Sequence, residues 1–162
     1  MMTKTLTDMQ TWFDIQQLYA DYASAVDSGH WDLWPEFFTE QCVYKLQPRE
    51  NYERGFPLCT LSFTSKGMLK DRAYGISETI YHDPYYQRHV VGAPMVRKVE
   101  VGRIHAEANY AVFRTKLDKE STVFNVGRYI DTLVQTPDGL KFAERICVYD
   151  SEMIPNSIIY PI

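Results

Sequence analysis

The chain has only three cysteines in 162 residues, Cys42, Cys59 and Cys147, widely spaced and never paired as CxxC. An odd, scattered set excludes a zinc knuckle or a disulfide framework, and three buried thiols are expected. No GxxxxGK[ST], GxGxxG or GxSxG occurs, so there is no signature of a phosphate cradle, a dinucleotide fold or a serine-hydrolase elbow. Clustered positive charge is also missing: 17 basic residues are scattered among 21 acids, for a net charge of −4. Without a basic stripe, a nucleic-acid partner is not expected. No stretch approaches the ~20 apolar residues that span a bilayer. The opening "MMTKTLTDMQTWFDIQQL" lacks an apolar core followed by a small-residue cleavage site, so a cytoplasmic chain with no membrane partner is expected.

Aromatic rings, by contrast, are plentiful: 12 Tyr, 8 Phe and 3 Trp. Such amphipathic rings are enriched at interfaces and in ligand pockets, so burial beyond the chain's own core is plausible on composition. The 45% hydrophobic and 23% charged content is that of an ordinary globular protein, and the length fits one domain over residues 1–162. There is no internal repeat, low-complexity segment or linker.

Helices come first. Thr7 and Gln10 form a capping box, after which Ile15, Leu18, Tyr19, Tyr22 and Val26 recur at helical spacing until Gly29 offers a left-handed stop. In "HWDLWPEFF", Trp31, Trp34 and Phe38 predict a short second helix with Asp32 as its cap and Pro35 in its first turn. "CVYKLQP" reads as a strand and "RENYERGFPLCT" as a polar loop. Ser65 caps a third helix with Leu69, Ala73, Ile76 and Ile80 on one stripe, weakened a little by Gly67 and Gly75.

After Pro84 the period becomes two. Ile104, Ala106, Ala108, Tyr110 and Val112 face one way, and His105, Glu107 and Asn109 the other. Phe124, Val126, Ile130 and Val134 are expected on one face of the next strand, with "TPDG" turning it into a last strand, "LKFAERICVYDSEM". The whole describes an α+β domain, N-terminal helices packed on a curved antiparallel sheet.

Chemistry-bearing residues concentrate in "ETIYHDPYYQRH". His82, Asp83 and His89 are the residue types of a two-histidine, one-carboxylate iron site. Geometry argues against it: adjacent His82 and Asp83 point apart on extended backbone, Pro84 enforces that extension, and His89 lies further along a strand. Tyr85, Tyr86, Arg88 and His89 then form either a polar surface patch or an interface anchor. A helix-covered curved sheet can also enclose a substrate, and Asp27, Tyr44, His105, Asn109, Tyr129 and Asp131 are the groups that could line such a cone. Asp27 could equally serve the turn after the first helix, and His105 a solvated or partner-facing sheet surface. The tail "SEMIPNSIIYPI" is too apolar to float free and should dock on its own domain or a neighbour.

The opening "IQQLYADYASAVDSGHWDLWPEFFTEQCVY" resembles the first two helices and strand of the cystatin-like, or nuclear-transport-factor-like, cone folds. "ENYERGFPLCTLSFTSKGMLKDRAYGISETIYHDPYYQRH", with the later "VGRYIDTL", is similar to the small (beta) subunits of Rieske-type aromatic-ring-hydroxylating oxygenases, most of all the branch that forms gentisate from salicylate. The resemblance implies a non-catalytic subunit: no cofactor in this chain, the Rieske 2Fe-2S cluster and mononuclear iron in a partner alpha subunit, an α3β3 assembly built on a trimer of this chain, and electrons arriving through a ferredoxin and a reductase. The chain indeed lacks the paired Cys-x-His and Cys-x-x-His of a Rieske centre. On that reading "YHDPYYQRH" is a structural corner and subunit contact. The same cone also hosts isomerases, dehydratases and cyclases, which would need a wet pocket with a reactive Asp or His, and binding modules, which would need an open one.

Overall fold

A computed structural model describes residues 7–153 and 157–162; residues 1–6, the start of the segment expected to carry no leader, and 154–156 of the tail lie outside the described residues. The first helix, α1, spans Met9–Asp27 and buries Ile15, Leu18, Tyr19, Tyr22 and Val26, the stripe expected from their spacing. Its cap is Asp8 rather than Thr7: the Asp8 carboxylate accepts from the Thr11 backbone N–H at 2.8 Å and the Thr11 hydroxyl at 2.7 Å. At the other end Gly29, at φ 71°, closes a paired stop in which Gly29 N donates to Val26 O and His30 N to Ala25 O.

The second helix is reduced to a single 3₁₀ turn, Trp34–Phe37, with Pro35 in its first turn and no side-chain cap from Asp32. β1 then runs Phe38–Pro48. The polar loop opens with a short helix, α2 (Arg49–Glu53), and leads into a three-residue edge strand, β2 (Leu61–Phe63). Ser65 caps α3 (Lys66–Tyr74) by accepting from Met68 N at 3.3 Å. Wider π-type winding over Gly75–Thr79 carries the chain on from α3, burying Ile76 and leaving Ile80 half-buried.

Five strands follow: β3 (Tyr85–Val91), β4 (Met95–Glu100), β5 (Arg103–Lys116), β6 (Thr122–Thr136) and β7 (Gly139–Tyr149). The sheet order is β2-β1-β7-β6-β5-β3, with β4 paired to β5. The sheet is mixed, not purely antiparallel, because β1 lies parallel to β7. That pairing follows from the order of elements: α2, α3 and the strands β2 to β6 lie between β1 and β7, so β1 meets the last strand only after a long crossover.

Ala106, Ala108, Tyr110 and Val112 face inward, as their alternation predicts. On β6 the expected face is corrected. Register shifts at Val112/Phe113 and Thr132/Leu133 reset the period, so Phe124, Tyr129, Asp131 and Leu133 are buried, whereas Val126 is exposed and Ile130 and Val134 are half-buried. The interior is largely aromatic: Tyr19, Tyr22, Trp34, Phe38, Tyr44, Tyr129 and Phe142 are essentially fully buried and pack edge-to-face or stacked on one another. Among the described residues, no helix is long and apolar enough to cross a membrane.

Candidate functional site

Two strand neighbours place the most constrained charges. Asp131 on β6 pairs across the ladder with Arg145 on β7, and the two side chains, both fully buried, join through Arg145 Nε to Asp131 Oδ1 at 3.0 Å and Nη2 to Oδ2 at 2.7 Å. The Arg145 guanidinium sits 3.9 Å from the ring centres of Tyr129 and Phe142, 4.3 Å from Tyr22 and 4.9 Å from Tyr19. Burial opposes the Arg145 charge, but Asp131 outweighs it and holds the guanidinium's pKa well above its ordinary value. Burial likewise pushes the Asp131 carboxyl up, against the pull of Arg145.

A second buried pair joins α1 to β3. Asp27, the last residue of α1, accepts from the His89 backbone N–H at 2.8 Å and from His89 Nδ1 at 2.5 Å. A carboxylate only accepts, so Nδ1 carries the proton of that bond. Nε2 is buried with no hydrogen-bond partner among the described residues. The pair has the composition of an acid/base dyad and the position of a brace between a helix end and the middle of a strand.

The three residue types suggestive of iron go to separate partners. His82 Nε2 meets the Tyr160 hydroxyl at 2.8 Å, Asp83 accepts from Lys116 Nζ at 2.7 Å, and His89 holds Asp27. Among the described residues, no group of three His, Cys, Asp or Glu side chains is placed to hold a metal.

The tail occupies the cone. Ile158 and Ile162 are buried in the central apolar cluster, and the Ile162 main-chain oxygen accepts from the hydroxyls of Tyr22 at 2.8 Å and Tyr44 at 3.2 Å. Tyr160 lies against Trp31 and Tyr85, at ring-centre separations of 4.7 and 4.4 Å. Gln87 donates to the Pro161 carbonyl at 3.1 Å, and Arg72 to the carbonyls of Ile158 and Ile159. Burial raises the hydroxyls of Tyr44 and Tyr129 well above the usual phenol range and the Cys147 thiol to about 12.

Of the residues expected to line the cone, Asp27, Tyr44, Tyr129 and Asp131 do so, while His105 and Asn109 lie on the uncovered face of the sheet. His105 there meets Glu100 at 3.0 Å. Of the four expected at a subunit contact, Tyr86 (77% exposed) and Arg88 project outward, whereas Tyr85 and His89 turn into the chain. Tyr86 borders a groove of about 310 Å³ lined also by Asp83, Pro84, Thr115 and the exposed Leu117. Residue-level reading missed Arg145 and the Asp27–His89 brace. The signal for the brace was the alternation of β3, which sends Tyr85, Gln87 and His89 to one side and Tyr86 and Arg88 to the other.

Comparison with known proteins fits this geometry. A SnoaL-like domain model matches residues 9–146. The chain is 34% identical over 161 residues to the anthranilate 1,2-dioxygenase small subunit of Burkholderia cepacia, covering 99% of this chain and 100% of that one. It is 29% identical over 143 residues to a beta subunit of the terminal oxygenase component of terephthalate 1,2-dioxygenase from a Comamonas species, covering 88% and 93%. A crystal structure assigned to the beta subunit of an aromatic-ring-hydroxylating dioxygenase from Novosphingobium aromaticivorans superposes with a TM-score of 0.86 at 30% identity, covering 94% of this chain and 97% of that one.

Proposed function

The chain belongs to the SnoaL-like domain family and, within it, to the small (beta) subunits of aromatic-ring-hydroxylating dioxygenases; from this we propose that it is the structural, non-catalytic subunit of its complex. The observation that carries the proposal is the filled cone. An isomerase or dehydratase would need water and substrate beside its acid and base, and here Ile158, Pro161, Ile162 and a shell of rings take that volume. The two buried pairs then act as braces, one closing β6 on β7 and one tying α1 to β3.

In this reading a large alpha subunit supplies the Rieske cluster, the mononuclear iron and the substrate pocket, and three copies of this chain hold three alpha subunits in register as α3β3. A ferredoxin and a reductase deliver the electrons. The chain, 1–162, works as one domain. The substrate is a small aromatic acid of the salicylate class, a choice supported by the aromatic acids in the names of the two curated relatives. Tyr86 and Arg88 are the proposed outward contacts with alpha, and Tyr85 and His89 support them from within.

Reconstitution tests this. The purified chain alone, given salicylate, a reductase, a ferredoxin and NADH, should turn nothing over and contain no stoichiometric iron; adding the large subunit should restore hydroxylation. One iron per isolated chain, lost in a His82→Ala/His89→Ala variant, would overturn it.

A further inference from the structure

The uncovered face of the sheet falls into two unlike halves. Toward β4 it is built for water: His105 meets Glu100 at 3.0 Å and Thr132 at 3.3 Å, and Glu107 accepts from Arg97 at 2.9 Å. Toward the β5–β6 hairpin the same face is apolar. Val90, Ala111 and Val126 lie side by side across β3, β5 and β6, and the next row is Arg88, Phe113 and Val123. Val90 and Val123 are more than half exposed, and Val126 is exposed as well. An antiparallel sheet with one solvated face alternates apolar inside with polar outside. Here the outward positions of three neighbouring strands are apolar too, which is the mark of a covered surface. Arg88 is the one charged residue of the six, and among the described residues it has no hydrogen bond or ion pair. Tyr86, two residues back on β3, continues the patch at its edge.

We propose that this half of the outer face seats a segment of the large subunit that carries one carboxylate ringed by apolar side chains, with the carboxylate on Arg88. The proposal rests on the reading of Tyr86 and Arg88 as contacts with that subunit and gives the contact its extent and its chemistry. Charge selects the carboxylate. A guanidinium is a planar fork that matches a carboxylate in two parallel hydrogen bonds, and it gives up water more readily than an ammonium, so it suits a covered ion pair. The valines and Phe113 around it supply the apolar rim that keeps water from such a pair. A second copy of this chain fits the face poorly. Seated face to face about a two-fold axis, it would bring Arg88 against Arg88, with no acid among the six residues to stand between them.

The test uses the full chain with the large subunit of its complex. Val90→Lys and Val126→Lys each set an ammonium on the floor of the seat at an exposed position, so the chain should keep its Tm while its Kd for the large subunit rises about ten-fold or more. The same change at Val101, fully exposed in the β4–β5 turn, should leave Kd unaltered. Arg88→Lys then places an amine where the guanidinium stood, and a carbodiimide, which joins an amine to a carboxylate it touches, should link position 88 to an Asp or Glu of the large subunit, mapped by mass spectrometry. If the natural chain does not bind the large subunit, the subunit reading fails and this seat with it. If it binds and both valine variants bind equally well, the seat alone is overturned. A link from position 88 to another copy of this chain, or loss of self-association in the valine variants with large-subunit binding intact, would also overturn the seat and leave the subunit reading standing.

Discussion

Arg145 is fully buried among four rings, and its charge is balanced by one carboxylate, Asp131. Removing one partner strands the other: Arg145→Met or Asp131→Asn should destabilise the chain by about 3–5 kcal/mol. The Asp131→Leu/Arg145→Met double variant should lose less than either single change, because no charge is left uncompensated. Urea midpoints measure this, and additive losses would contradict it. The thiols give a second residue-scale outcome. Burial pushes Cys42 up to about 11 and Cys147 to about 12; it raises Cys59 as well, but Cys59 is half-exposed and within reach of a reagent. Since the thiolate reacts, a disulfide reagent at pH 8 should titrate Cys59 quickly and the other two only after unfolding, and Cys59→Ser should abolish the fast phase. Little of this residue scale was legible beforehand. Counting back from the "TPDG" turn pairs Asp131 with Glu144; the bulge between Thr132 and Leu133 slips the partner to Arg145, and no local signal announces a bulge.

Among the elements, Gly127 on β6 lies between Tyr110 of β5 and Tyr149 of β7, and a Cβ there would run into the Val148 carbonyl. Gly127→Ala therefore pries β6 from β7. It should cost at least the ~1–3 kcal/mol of core overpacking, seen as a lower Tm with the helices retained. At the junction of the 3₁₀ turn and α3, Lys66 donates to Glu36 at 2.6 Å and holds that carboxyl below its ordinary value of 4.5. The folded value is depressed, so this stabilisation is present above the ordinary glutamate range and fades as pH falls through the folded value. The Tm gap between the natural chain and Glu36→Gln should accordingly be open at pH 7 and close on acidification; a gap that widens in acid would contradict this. Elements were far more legible than partners. The stripe of α1, the Ser65 cap and the alternation of β5 rest on local periodicity, whereas β2, three residues long, exists only because β1 offers it an edge.

For the whole molecule, the fold was readable from helices followed by long strands. The parallel β1–β7 pair and the filled cone were not, because both depend on contacts between the two ends of the chain. The outward and inward halves of β3 make separable predictions. Tyr86→Ala or Arg88→Ala should weaken assembly with the large oxygenase subunit by about 2 kcal/mol, roughly thirty-fold in Kd, with the chain's own Tm unchanged. His89→Ala should lower the chain's Tm, because it breaks the brace to Asp27. The most direct measurement of the central claim is affinity capture of this chain from cells that express it, with native mass and metal content recorded. The account predicts a complex of equal numbers of this chain and a much larger iron-sulfur protein, with the mass of α3β3; a colourless assembly of this chain alone, converting an aromatic acid unaided, would contradict it.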